Sequence, residues 1–206
     1  MTKLLIIGTG GHSRVIIEAA IESGIEIIGL IDLDYKNQKE AILNIEVLGA
    51  LDTLNQFKNN EISVIIAVGD NYKRRELFHK VNTLGYSMIN VIHPRAIISP
   101  SAKLGKGVFV NVGAVINSKA KIGNNIIINT GAIIEHEVEI ADHSHMAPKV
   151  CVGGRTKIGE NTFIGLGTNV ANNILVGNNV TIGAGSTIIR DVNSNLKVVG
   201  VGRVLN

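Results

Sequence analysis

The sequence predicts an α/β N-terminal Rossmann-like domain followed by a left-handed parallel β-helix of about five coils. Three observations carry this reading. The first ninety or so residues alternate strand-like and helix-like stretches, the pattern of a parallel sheet covered by helices. From Ile98 to Ile188 every sixth residue is aliphatic, sixteen in succession. Aromatic residues are only 3% of the 206 and Trp is absent. The core is therefore a stack of aliphatic side chains and not an assembly of large rings.

In the front part, Lys3–Gly8 reads as a buried parallel strand that ends in glycines. Ser13–Ser23 carries apolar residues at helical spacing, with Ser13 placed as N-cap. Ile25–Asp32 reads as a second strand, Leu51–Phe57 as helical and Ser63–Gly69 as a buried strand. Asn71–Asn82 reads as a helix and Met88–Val91 as the last strand. His93-Pro94 marks a boundary, because the residue before proline is pushed out of helix. It separates a domain at 1–92 from one at 93–206.

Beyond that boundary the period changes to six. The ladder runs Ile98, Leu104, Val110, Ile116 and on to Ile188, and the fourth residue after each rung is small or β-branched. Gly or Asn recurs between them, where a corner needs unusual φ. One inward aliphatic per hexad is the signature of a parallel β-helix. Three hexads close a triangular coil, and coils stack at ~4.8 Å, the interstrand spacing. Short corners replace the crossover helix that enforces right-handedness elsewhere.

Apolar residues at 45% against 18% charged mark a core-forming chain, not a disordered one. The net charge is +3 and no Lys/Arg run reaches five. That argues against a nucleic-acid surface and suits a small polyanion such as a nucleotide or coenzyme A. One cysteine, Cys151, excludes an internal disulfide and fits a reducing cytoplasm. The apolar run in MTKLLIIGTGGH is too short for a signal peptide or a membrane span. The expectation is a cytoplasmic protein with no membrane insertion.

The hexapeptide ladder resembles that of the left-handed β-helix acyltransferases. Four segments look like one subgroup: GTGGHS at 8–13, VIHPRAIISPSAKLGKG at 91–107, INTGAIIEHEVEIADHSHMAP at 128–148 and TIGAGSTIIRDV at 181–192. That subgroup is the bacterial acetyltransferases of nucleotide-activated amino sugars, with their sialic acid O-acetyltransferase relatives. The resemblance implies an acetyl-CoA-dependent N-acetyltransferase of surface-glycan biosynthesis. It also implies a homotrimer that holds coenzyme A between neighbouring β-helices. O-acetylation of a sialic acid or related sugar is the nearest rival. A non-catalytic trimeric scaffold is a rival of another class, against which the intact His136-Glu137 pair argues.

The same resemblance assigns roles. His136, at a corner of its hexad between Glu135 and Glu137, is the general base for direct transfer, and Glu137 polarises it. Spacing alone leaves a solvated His–Glu corner open. Asn129 and His145 match positions lining the acetyl or acceptor pocket, and a corner amide and a packed histidine remain the alternatives. Gly154 and Ala184 offer backbone N–H groups to coenzyme A, with Gly154 facing the thioester carbonyl. Lys149, Arg155, Lys157, Arg190 and Arg203 are the candidates to meet its phosphates. Gly200-Val201-Gly202-Arg203 lacks the proline and alanine usual at the family's end. Gly10, Gly11, His12 and Ser13, with Asp32 and Asp34, are expected to hold the sugar nucleotide. His136, His143 and His145 all fall within ten positions and two of them flank Ser144, which the ladder turns inward, so no metal site is expected. Cys151 has no base in its hexad and reads as a structural thiol.

Overall fold

The computed structural model describes residues 3–36, 40–57, 62–200 and the backbone of 203–205. It shows an α/β front part followed by a left-handed parallel β-helix.

The front sheet contains β1 (Lys3–Ile7), β2 (Glu26–Ile31), β3 (Ala41–Ile42), β4 (Ile45–Gly49), β5 (Ile62–Ile66) and β6 (Ser87–Met88). Their order is β3-β4-β2-β1-β5-β6, with only the β3–β4 hairpin antiparallel. Two helices cover it, α1 (Gly11–Glu22) and α2 (Asn71–Thr83). Leu4 and Ile6 of β1 join Ile16, Ala19 and Ala20 of α1 in one core. Leu5 and Ile7 join Leu77 and Val81 of α2 in another. Burial on both faces explains why the strand is a continuous apolar run without alternation.

Three local readings differ from the sequence expectation. Helix α1 starts at Gly11 with extended Gly10 as its N-cap, so Ser13 is not the cap. Ser13 lies in the first turn, fully buried, and its hydroxyl donates to Gly10 O at 2.7 Å. Leu51–Phe57 is a 3₁₀ helix. Only Leu54 of that segment is buried, so no apolar stripe at 3.6-residue spacing favours α geometry. The predicted Met88–Val91 strand is divided: Ser87–Met88 pairs with β5, whereas Val91–Ile92 pairs with Phe109–Val110. Between them Asn90 donates to Gly105 O and accepts from Val108 N, which turns the chain from one part into the other.

Each of the sixteen hexads contributes one two-residue strand, from Ile97–Ile98 to Thr187–Ile188. They stack into the three faces of a prism, here called first (Val91–Ile92, Phe109–Val110 onward), second (Ile97–Ile98, Val115–Ile116 onward) and third (Lys103–Leu104, Lys121–Ile122 onward). Parallel partners are eighteen residues apart, as in Ile116↔Ile134↔Val152, and sixteen apart in the last coil, as in Ile182↔Val198. The inward residues form one continuous core. Corners carry a residue at positive φ, such as Gly131, Asn125 or Asn161. Where the corner residue is Lys119, Glu137 or Arg155, the left-handed conformation costs roughly 1–2 kcal/mol.

The front part packs on the first face. Outward-facing Phe109 and Ile127 belong to the same core as α1. Ser23 Oγ donates to Ile92 O at 2.7 Å, His93 Nε2 lies 3.4 Å from Glu22, and Arg75 lies 3.5 Å from Glu160.

Ile134 is fully buried between Ile116 and Val152. Ile134→Ala should lower unfolding free energy by about 2–5 kcal/mol, read from denaturant titration. A loss well under 1 kcal/mol would contradict the inward ladder.

Candidate functional site

On the corner between the second and third faces, four residues from two coils converge. The His136 ring lies over Gly154: a Cβ there would come within 2.6 Å of His136 Nε2. Any larger residue at 154 must displace the imidazole. His136 Nδ1 is 3.3 Å from Glu137 Oε2, and Arg155 Nε donates to the same oxygen at 3.0 Å. Arg155 N donates to His136 O, which ties the two coils directly beneath the ring. The hydrogen bonds from Arg155, then from His136, hold the Glu137 carboxyl below the usual carboxylate range. Glu137 is therefore an anion that accepts from Nδ1–H and leaves Nε2 bare as a proton acceptor. His136, Glu137 and Arg155 are all well exposed.

Further along the same edge stands exposed Arg190. Lys157 projects from the third face, 3.7 Å from Glu139.

The second constellation joins the two parts of the chain. His145 points outward from the first face and is buried against the front domain. Its Nδ1 faces Gly69 O at 3.4 Å and its Nε2 faces Asn129 Nδ2 at 3.2 Å. The Phe163 ring packs edge-on at 5.2 Å and the His12 ring lies 6.3 Å away. Ala184 is exposed on the corner that carries Asn129, and so is Lys149, at positive φ.

His12 opens the front cleft, a cavity of about 440 Å³ lined by Gly10, Gly11, Asp32, Asp34 and Lys73. Gly8 at its base has φ +114° and sits so close to Ala67 O that a Cβ would lie 2.9 Å away. Only glycine lets the turn approach β5 in this way. Asp32 Oδ1 accepts from Thr9 Oγ1 at 2.7 Å. The N-terminus of α1 and Lys73 make this end of the cleft suited to an anion. Ser13 does not reach it, since its hydroxyl is turned onto Gly10 O.

The structure thus unites His12, His145 and Asn129, and separately unites His136, Glu137, Gly154 and Arg155. In one chain the whole second face separates the two groups. Cys151 lies outward on that face, and burial, then Glu135, pushes its thiol up from the ordinary value. Val201, Gly202 and the Arg203 side chain lie outside the described residues. Among the described residues no cluster of three or more His, Cys, Asp or Glu could hold a metal ion, and no helix is long and apolar enough to cross a membrane.

Sequence reasoning missed Arg74 and Gly69. Arg74, at 1% exposure, donates to Val68 O, Gly69 O, Asn71 Oδ1, Asn125 O, His143 O and Ser144 O. Burial pulls its guanidinium down to about 9, with Asp70 opposing. Burial and then Arg74 hold His12 down to about 4. Burial, Arg74 and His12 hold His145 down to about 3.

Two families match the chain: PglD N-terminal domain over residues 3–81 and bacterial transferase hexapeptide (six repeats) over residues 155–190. Among solved structures, a mutant perosamine N-acetyltransferase of Caulobacter crescentus, in complex with CoA and GDP-perosamine, is similar at TM-score 0.95 and 32% identity. That match covers 100% of this chain and 98% of that one. The acetyltransferase domain of PglB from Neisseria gonorrhoeae, in complex with acetyl coenzyme A, is similar at TM-score 0.92 and 32% identity over 98% of each chain. UDP-N-acetylbacillosamine N-acetyltransferase of Bacillus subtilis is 31% identical over 113 residues, 53% of this chain. An uncharacterized protein of Acanthamoeba polyphaga mimivirus is 33% identical over 105 residues, 51% of this chain. The chain spans 51% and 20% of the lengths of these two curated relatives.

The depressed histidines make stability depend on pH. The unfolded chain binds protons near pH 6.5 that folded His12 and His145 refuse until about 4 and 3. Stability is therefore full above pH 6.5 and falls as pH drops toward 4. By pH 5 the loss is about 2 kcal/mol for each histidine. Melting curves between pH 7 and 5 should show it, and His12→Gln/His145→Gln should flatten the slope. An equal slope in the double variant would refute the assignment.

Proposed function

The chain belongs to the hexapeptide-repeat N-acetyltransferases with a PglD-type front domain, and from that premise we propose that it acetylates the amino group of a nucleotide-linked amino sugar, using acetyl-CoA. The observation that carries the reading is the His136 ring, backed by Glu137 and set close over the backbone of Gly154. Acetyl-CoA would supply the acetyl group there, with its thioester beside the ring and the Gly154 main chain.

His136 Nε2 takes the proton that the amine loses as its nitrogen attacks the carbonyl carbon, and when the C–S bond breaks the imidazolium returns that proton to the departing thiolate of coenzyme A. Glu137, fixed by Arg155, keeps Nδ1 protonated and steadies the imidazolium. The Gly154 N–H faces the developing oxyanion. Arg155, Lys157 and Arg190, on or beside the same edge, serve the phosphates of coenzyme A. The front cleft holds the nucleotide, with its phosphates at the α1 N-terminus and Lys73, and Asp32 and Asp34 at the far side. GDP and UDP both occur in the names of similar N-acetyltransferases, so the base is left to experiment. Acetyl-CoA use and a single cysteine suit a cytoplasmic reaction.

His145 and Asn129 act on the same acceptor only if a second copy brings its first–second corner to the corner of His136. The second face supports such assembly: outward Ile97 is 67% exposed and stacks in register with Val115, Ile133 and Cys151. An exposed apolar ladder of this kind favours self-association, and a homotrimer closes the arrangement.

Thiol release from acetyl-CoA should depend on a nucleotide-linked amino sugar, with GDP-, UDP- and CMP-linked amines compared against their hydroxyl counterparts. Hydroxyl acetylation alone would replace this reading with O-transfer. His136→Ala should lower kcat/KM by about 10²–10⁴-fold while the oligomer elutes unchanged. Gly154→Ala should lose activity on a similar scale by moving the ring. Near-normal turnover in both variants would remove His136 from the mechanism.

A further inference from the structure

We infer that Arg74 is a positioning residue that acts through the Gly69 carbonyl to hold His145 as its Nδ1-protonated tautomer, with Nε2 kept as a bare acceptor. The inference rests on the reading that His145 lines the acceptor pocket. Arg74 has no carboxylate among its partners. Its fork is spent on main-chain carbonyls of both parts of the chain, Val68 and Gly69 at 3.1 Å on one side and His143 at 2.7 Å and Asn125 at 3.1 Å on the other. Simple bridging of two parts does not need a buried cation, and such a group is expensive to desolvate. What the cation adds is a charge and a fixed carbonyl next to His145.

Gly69 O faces two groups, Arg74 Nη1 at 3.1 Å and His145 Nδ1 at 3.4 Å. A bare Nδ1 would set its lone pair against that oxygen, so the proton sits on Nδ1. The other side of the ring agrees. Asn129 Oδ1 accepts from Thr130 N at 2.8 Å and from Asn111 Nδ2 at 3.2 Å. That orients the Asn129 amide with Nδ2 toward His145 Nε2 at 3.2 Å, and Nε2 accepts. The charged groups bearing on the ring are Arg74 from α2 and His12 from α1. Both disfavour a second proton. His145 is thereby an acceptor and not an acid, and its single Nε2 lone pair is held by the Asn129 amide. An amine or hydroxyl of the acceptor sugar takes that lone pair by displacing the amide, whereas a phosphate or carbonyl oxygen has no proton to offer it.

Long-range ¹H–¹⁵N correlation on the full-length protein labelled at histidine reads the tautomer directly. The wild type should show His145 protonated at Nδ1, bare at Nε2, and not titrating at pH 5. Arg74→Lys, which keeps charge but loses the fork, should mix the tautomers while protonation stays suppressed. Arg74→Met should both mix the tautomers and let His145 titrate at higher pH. Its kcat/KM should fall about tenfold, the equivalent of one hydrogen bond, with a new acidic limb in the pH profile. A wild-type His145 protonated at Nε2 overturns the inference, whether or not the variants fold. Unchanged kcat/KM in His145→Gln would instead remove His145 from the acceptor pocket and leave the tautomer result standing.

Discussion

Up to the last coil, each rung of this β-helix lies beside the one eighteen places later, and that register is the constraint from which the candidate site follows. It aligns Ile134 with Val152 inside the prism, and at the adjoining corner it sets His136 over Gly154 and Glu137 beside Arg155. The same step pairs Lys121 with Glu139 on the third face and Asn161 with Asn179 on another corner. Chemistry is therefore assembled from neighbouring coils. A slip by one residue would turn Ile134 outward and break every such pair at once. The aliphatic core fixes the geometry of the candidate site through that register.

This is why so much of the β-helix was legible. A period of six, repeated sixteen times, is a statement about every coil, and the corner position of His136 follows from counting. The Arg155–Glu137 bond is legible by the same count once a coil is known to hold eighteen residues. The front part offers no such repetition. The Gly10-Gly11 turn lets α1 begin early, so Ser13 falls inside the helix and its hydroxyl is absorbed by Gly10 O. Leu51–Phe57 has a single buried residue, too little pattern to tell one kind of helix from another. Arg74 is the instructive miss. It lies in a run, KRRE, that reads as a solvated helix face, yet it falls on the buried stripe of Asn71, Leu77 and Val81. Its partners are mostly carbonyls from distant segments, and no residue pattern advertises a carbonyl.

The interface between the two parts also differs in kind from the core of either. His12, His145 and Arg74 meet there with Phe109 and Phe163 around them. Low polarizability around these groups strengthens each hydrogen bond and penalises each added proton. The front cleft and the β-helix are thus electrostatically coupled, because the cation that ties them also sets the protonation of a histidine from each.

The corners show where stability has been given up. The corner between the third and first faces has asparagine at positive φ in every coil but those of Gly107 and His143, and Asn161, Asn179 and Asn195 pass hydrogen bonds from amide to amide. On the corner of His136 the same conformation is imposed on Lys119, Glu137 and Arg155, at roughly 1–2 kcal/mol apiece. The contacts they gain are exposed, and pairs of that kind return about 0–1 kcal/mol. Asparagine or glycine would make a more stable edge. What asparagine cannot do is put a carboxylate against His136 Nδ1 and anchor that carboxylate from the next coil. Positive φ also falls on His143 and Lys149 at the other two edges, but among the described residues three such side chains in succession, Lys119, Glu137 and Arg155, meet only at the edge of the exposed His136 imidazole, a concentration of strain that points to a site.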